Sequence, residues 1–182
     1  MDKFKDKYRI PSCRLKDWDY RWIGAYFITI CTQNREDYFG TIENGEMQLS
    51  QVGVIASIMW YEISSHSKQI ELDAFVVMPN HIHGILIVNG LNLHSDVISS
   101  LSTQTIPNKS MGSISPKTDS ISTIIRSYKS AVTKYAHRLG YKFEWQSRFY
   151  DHIIKDDRSY QMIQKYIGEN PAKWVNDEYF QS

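Results

Sequence analysis

Cysteine is scarce in this chain, and the two that occur, Cys13 and Cys31, have no CxxC spacing. They read as free thiols, which excludes a disulfide framework and a thiolate zinc clip. Long apolar runs are missing too. None approaches the roughly 20 residues that a membrane-spanning helix needs, and the N-terminal MDKFKDKYRIPSC lacks the apolar stretch of a secretion signal. The expectation is therefore a cytoplasmic protein with no membrane partner. There is no internal repeat. Charge of one sign is also low overall, a net +1 over 182 residues, yet it is unevenly placed. Residues 1–22 carry seven Lys or Arg against four Asp, and 121–148 carry six against Glu144 alone. Residues 35–73 hold two basic residues against seven acidic ones. Two basic segments flanking an acidic middle keep nucleic acid open as a partner. What remains is a globular composition, 42% hydrophobic with 12 Tyr, in a length suited to one domain over 1–182.

Hydrophobic patterning orders that domain. GAYFITICTQN (24–34) is β-branched and aromatic between Gly24 and Asn34, which reads as a strand. In 38–50, Asn44-Gly45 between short strand-like runs predicts a tight hairpin. Val52, Ile55, Ile58, Met59 and Ile63 make a near-helical stripe over 51–66. ELDAFVVM (71–78) and HIHGILIV (81–88) then read as antiparallel strands joined at Pro79-Asn80. Residues 89–120 have no periodicity and are rich in Ser, Thr, Asn and Pro, the pattern of a flexible surface insertion. An amphipathic basic helix is expected over 121–139, with Ile121, Ile124, Ile125, Tyr128, Val132, Tyr135 and Leu139 on its apolar face. A last strand over 148–154 and a helix capped by Asp156-Asp157 and stopped by Pro171 complete the chain. Hairpins in place of crossovers predict an α+β fold, an antiparallel sheet with helices mainly on one face.

MPNHIHGIL (78–86) carries the first chemical signal. Alternation along a strand puts His81 and His83 on one side and Ile82 and Gly84 on the other, so two imidazoles can bite one cation. An amidohydrolase barrel needs about 250 residues, and a cupin would need an acidic ligand within Gly84–Asn89, where none occurs. A further ligand must come from another element. Tyr166 and Asn170 in YIGEN are spaced i, i+4, and Asn170 precedes a proline, which places its carboxamide at the helix end.

HIH after FVVMPN, the run WQSRFYDHII and the C-terminal YIGENPAKW together resemble the single-tyrosine HUH transposases, in particular the REP-associated tyrosine transposases. GAYFITICTQNR and IIRSYKSAVTKY are similar to that family as well, so the resemblance runs from about Asp17 to Trp174 except for the insertion. It implies a ferredoxin-like α+β domain that cleaves and rejoins single-stranded DNA beside a hairpin. It also implies a divalent metal, Mg²⁺ or Mn²⁺, held by His81, His83 and Asn170, with Tyr166 as nucleophile forming a covalent 5′-phosphotyrosine. The family often uses Gln where Asn170 stands, so the shorter side chain requires the helix end to approach the sheet more closely.

Around that site the expected DNA contacts are Arg126, Lys129, Lys134 and Arg148, with Arg9 and Arg14 as lesser candidates and Trp18, Tyr20 and Trp22 as stacking groups. Tyr150 and Tyr160 compete as nucleophiles, but neither has a polar partner one turn on at a helix end. Asp151 and His152 are candidates for ordering the site. His66, His94 and His137 read as surface residues. Two other functions stay open: a module that binds hairpin nucleic acid without cutting, and a metal-dependent phosphoesterase that uses water. The sequence is compatible with a homodimer and with a tyrosine helix on either subunit.

Overall fold

The computed structural model describes residues 23–89 and 120–180, with the backbone of two short paired strands, β1 (Lys3–Phe4) and β2 (Lys7–Tyr8). The basic arm expected over 1–22 and the insertion expected over 89–120 otherwise lie outside the described residues, apart from Asn89 and Ser120. Arg9, Arg14, Trp18, Tyr20, Trp22 and His94 fall there too.

The described elements follow the predicted order. They are β3 (Gly24–Cys31), β4 (Gly40–Glu43), β5 (Glu46–Leu49), α1 (Gln51–His66), β6 (Ile70–Val77), β7 (His81–Val88), α2 (Ile121–Arg138), β8 (Tyr150–Ile154) and α3 (Asp157–Glu169). A 3₁₀ segment, Pro171–Asn176, follows. Asn44 and Gly45 take φ of 52° and 79°, the two left-handed residues that a tight β4–β5 turn requires. Each helix starts at a side-chain cap: Ser50 accepts from Gly53 N, Ser120 from Thr123 N and Asp156 from Ser159 N.

Four strands form one antiparallel sheet in the order β6-β7-β3-β8, and its two faces are covered differently. Tyr26, Ile28 and Ile30 of β3 and Ile82, Leu86 and Val88 of β7 point into the larger core, under α1 and α2. Trp60 of α1 is central there, stacked on Phe75 at 4.7 Å and edge-on to Tyr128 of α2, whose hydroxyl donates to Ala56 O at 3.0 Å. Gly84 makes room for it, since a Cβ at that position would meet the Trp60 ring at 2.3 Å. Each large side chain so buried contributes about 1.5–3 kcal/mol. On the opposite face α3 lays Ile163 and Ile167 against Phe27, Ile85 and Ile154. Two of the three helices thus share one face.

Two apolar stripes differ from the sequence reading. Ile58, placed in the α1 stripe, is exposed, and Ala56 and Trp60 occupy the packing positions instead. Tyr135 and Leu139 of the expected α2 face are exposed, and Ala136 is the last buried residue of that helix.

Candidate metal centre and tyrosine site

His81 and His83 sit at the start of β7, on the α3 face of the sheet. A tight turn precedes them, with Met78 N donating to His81 O at 2.9 Å. Both side chains are fully buried, at 0% and 1% exposure, so each ring nitrogen needs a partner. Asn80 Nδ2 donates to Tyr179 O at 3.0 Å, which turns Asn80 Oδ1 toward His81 Nδ1 at 2.9 Å. An amide oxygen only accepts, so His81 carries its proton on Nδ1 and leaves the Nε2 lone pair free. Thr29, directly opposite His83 in the β3–β7 register, places Oγ1 2.9 Å from His83 Nδ1. The two Nε2 atoms then face each other at 3.0 Å. Burial, with Arg35 adding to it, pushes the His81 pKa down to about 3, and burial followed by the His81 charge holds His83 well below its ordinary value. Both rings are neutral at pH 7, the form that binds metal.

The end of α3 closes the site. Asp156 caps the helix and its amphipathic face seats Ile167 on the sheet, which places the neighbouring Tyr166 at His83 and Asn170, at the helix end, at Asp177. The Tyr166 hydroxyl lies 3.2 Å from His83 Nε2 and donates to Asp177 Oδ2 at 3.3 Å. Phe27 stacks on His83 at 5.1 Å and meets the Tyr166 ring edge-on at 6.2 Å, fixing both rings. Burial first, and then the Asp177 charge, pushes the Tyr166 pKa up to about 12. Asn170 is 2% exposed; its Nδ2 donates to Asp177 Oδ2 at 3.1 Å, while its Oδ1 is buried with no hydrogen-bond partner.

Those atoms fit a divalent cation. Two neutral imidazole nitrogens 3.0 Å apart match the edge of an octahedron with bonds of about 2.1 Å. The Asn170 oxygen, buried without a partner, is free to serve as a further donor. Asp177 adds a carboxylate, its ligand oxygen within 4.8 Å of both histidine nitrogens. Pattern reasoning missed Asp177, Thr29, Asn80 and Tyr179, whose ring lies 4.4 Å from that of His81. Thr29 alone left a trace, as a polar residue inside an apolar strand; Asp177 lies beyond the helix in an irregular segment where no periodicity marks it.

The remaining predicted residues lie elsewhere. Arg126, Lys129 and Lys134 are on α2, which covers the other face of the sheet. Lys129 is partly buried: its ammonium donates to Gln146 O and sits 5.7 Å over the Trp145 ring, and burial lowers its pKa to about 8. Arg126 and Lys134 line an open groove between α1 and α2 that also takes in His66. Arg148 and His152 are exposed, in the segment leading into β8 and on it. Tyr160 hydrogen-bonds Asp73 and does not reach the histidines. No helix among the described residues is long and apolar enough to cross a membrane.

The antiparallel sheet with its helices defines a mixed α+β fold similar to that of a solved transposase. The chain is 37% identical over 171 residues to an uncharacterized protein of Haemophilus influenzae, covering 93% of this chain and 92% of that one, and it belongs to that protein's family. It is 25% identical over 154 residues to the REP-associated tyrosine transposase of Escherichia coli K12, covering 84% of this chain and 70% of the relative. The solved structure of a REP-associated tyrosine transposase bound to a REP hairpin superposes with a TM-score of 0.54 at 21% identity, over 88% of this chain and 74% of that one, a likeness of fold. No protein-family model matches the chain. The resemblance to REP-associated tyrosine transposases read from the motifs thus holds in sequence and in fold.

Proposed function

We propose that this protein cleaves and rejoins single-stranded DNA beside a hairpin, with Tyr166 as nucleophile and a divalent metal held by His81, His83 and Asn170, Asp177 adding a fourth donor. The observation that carries the reading is the Tyr166 hydroxyl 3.2 Å from His83 Nε2, beside a carboxamide oxygen that has no other partner. The hairpin partner is carried over from the relatives, one of which is solved on a REP hairpin. Mg²⁺ or Mn²⁺ bound there supplies polarisation of a non-bridging phosphate oxygen and offsets the charge that develops on it.

The chain's own groups perform the rest. Tyr166 must lose its proton to attack, and Asp177 Oδ2, already its hydrogen-bond acceptor, is placed to take it. The phenolate oxygen attacks phosphorus, the P–O3′ bond breaks, and the 3′-oxygen leaves as a hydroxyl by taking a proton from solvent water. The product is a 5′-phosphotyrosine on Tyr166. A 3′-hydroxyl reverses the step by displacing the phenolate, which restores the phosphodiester without a nucleotide cofactor. Phe27, Thr29 and Asn80 hold the rings in place throughout. One chain supplies every group, so a homodimer is not required for the chemistry. Arg126, Lys134 and Arg148 are proposed contacts for the flanking duplex, and Lys129 acts there through the Trp145 loop that it braces.

The test uses labelled hairpin DNA with single-stranded flanks, incubated with Mn²⁺ and resolved under denaturing conditions. A covalent adduct in wild type that is absent in Tyr166→Phe is expected. Free cleavage products that persist in Tyr166→Phe would replace this reading by a water-using phosphoesterase, and retained binding without cleavage by a binding module.

A further inference from the structure

We propose, on the basis of the DNA-cleaving reading above, that Asp73 is a positioning residue for the cleavage step: by holding Tyr160 and Gln164 it sets the roll of α3 about its own axis and so keeps the Tyr166 oxygen at His83. The hold starts from an irregularity in β6. Its ladder with β7 pairs Leu72 with Leu86 and then Phe75 with Gly84, so one extra residue lies between them on β6. Leu72 and Phe75 pack against the larger core, while Ala74 and Val76 pack on the α3 side. Strict alternation would return Ala74 to the face of Leu72; the extra residue leaves Asp73 and Ala74 both toward α3, the re-aiming that a β-bulge performs. There Asp73 Oδ2 accepts from Tyr160 Oη and from Gln164 Nε2, the latter at 2.7 Å. Burial, and then the bond to Asp73, pushes the Tyr160 pKa up to about 12, so this phenol keeps its proton for that bond.

Helical spacing turns the grip into control of the reacting group. With about 3.6 residues per turn, Ile163 and Ile167 form the seam that α3 lays on the sheet, Tyr160 and Gln164 flank it on one side, and Tyr166 and Asn170 flank it on the other. An apolar seam holds a helix down without choosing its angle, because the hydrophobic effect is non-directional, whereas hydrogen bonds are directional. Tyr160 and Gln164 stand one turn apart, so a carboxylate that accepts from both fixes an angle where a single bond would act as a pivot. The opposite flank is thereby set, with the phenol oxygen 3.2 Å from His83 Nε2. Displacing a reacting atom by about 1 Å costs about a hundredfold in rate.

The test compares Asp73→Ala, Asp73→Asn and the double variant Tyr160→Phe, Gln164→Leu in the full-length protein. Adduct rate is measured in single turnover at saturating hairpin DNA and Mn²⁺, alongside the DNA and Mn²⁺ affinities. The ring at position 166 is followed by fluorine NMR after replacement of Tyr166 by meta-fluorotyrosine. Asp73→Ala and the double variant are expected to lose about ten- to a hundredfold in adduct rate with both affinities unchanged, a split that separates positioning from binding, and to shift the fluorine resonance. Asp73→Asn keeps an oxygen that can accept from both donors, so it should restore rate and resonance. A wild-type rate in Asp73→Ala, with or without a shifted resonance, overturns the proposal. So does an equal loss in Asp73→Asn, or a rate loss matched by loss of Mn²⁺ affinity, which marks a general structural role. Wild type that forms no adduct removes the cleavage reading alone; a resonance shifted in Asp73→Ala then upholds the setting of the helix roll, and an unshifted one overturns it.

Discussion

The two faces of the central sheet are built from the same strands and put burial to opposite uses. Under α1 and α2, Tyr26, Ile28, Ile82, Leu86 and Trp60 exclude water from a core with little hydrogen-bonding demand. Under α3, one residue along each strand, Thr29, His81 and His83 are equally buried but polar. There, burial keeps the imidazoles neutral and raises the Tyr166 pKa. The first face buries apolar groups; the second buries groups that titrate, and shifts them. The period-2 alternation of β3 and β7 lets one segment do both.

The comparison can be broken one face at a time. The largest effect is expected from Tyr166→Phe, which removes the proposed nucleophile and leaves both cores intact: adduct formation should fall by at least about a thousandfold, measured on gels, with the thermal midpoint unchanged. His83→Ala should come next. It removes one of the two imidazoles at the site, and Mn²⁺ affinity by calorimetry should fall at least about a hundredfold; unaltered affinity would remove the histidines from the metal centre. Gly84→Ala probes the other face. The added Cβ collides with the Trp60 ring, so urea unfolding should show a loss of about 1–3 kcal/mol, with metal affinity preserved in the folded fraction. Thr29→Val sharpens the contrast on the reactive side by removing only the His83 Nδ1 partner. Mn²⁺ binding should weaken by about ten- to a hundredfold.

A pH series gives the smallest effect per histidine and separates the faces without mutation. His81 is held at about 3 against an ordinary 6.5, and His83 well below 6.5. The unfolded chain therefore binds more protons than the folded one once pH falls below about 6.5, so stability falls with pH from there toward about 3. His81 contributes up to about 1.4 kcal/mol per pH unit in that window, and His83 acts in the same direction. Metal-free protein should lose this part of its stability between pH 6.5 and 5 in urea titrations, and a His81→Ala, His83→Ala double variant should lose less over the same range.

The strands and helices were legible from their apolar runs and caps, although the stripe of α1 and the end of the α2 face were misplaced. The hairpin at Asn44-Gly45, the Asp156 cap and the shared face of His81 and His83 all appear in the fold. Tyr166 and Asn170 were legible as an i, i+4 pair, and the structure brings Tyr166 to His83 and Asn170 to Asp177, which stands beside both histidines. Asp177 was not, because an irregular segment after Pro171 carries no period that would point its carboxylate inward. Nor was the side of the sheet that α2 covers: amphipathicity says that a helix packs, and only the tertiary fold says on which face. Arg126 and Lys134 therefore lie across the sheet from Tyr166, a separation that no helical pattern encodes.

The central claim is that one ion joins the imidazoles at 81 and 83 to the end of α3 beside the phenol. Anomalous diffraction at the manganese edge from crystals grown with Mn²⁺ tests it directly. The account predicts a single strong peak within bonding distance of both Nε2 atoms and of Asn170 Oδ1, adjacent to the Tyr166 oxygen. A peak away from the histidines, or none at a saturating Mn²⁺ concentration, would contradict it.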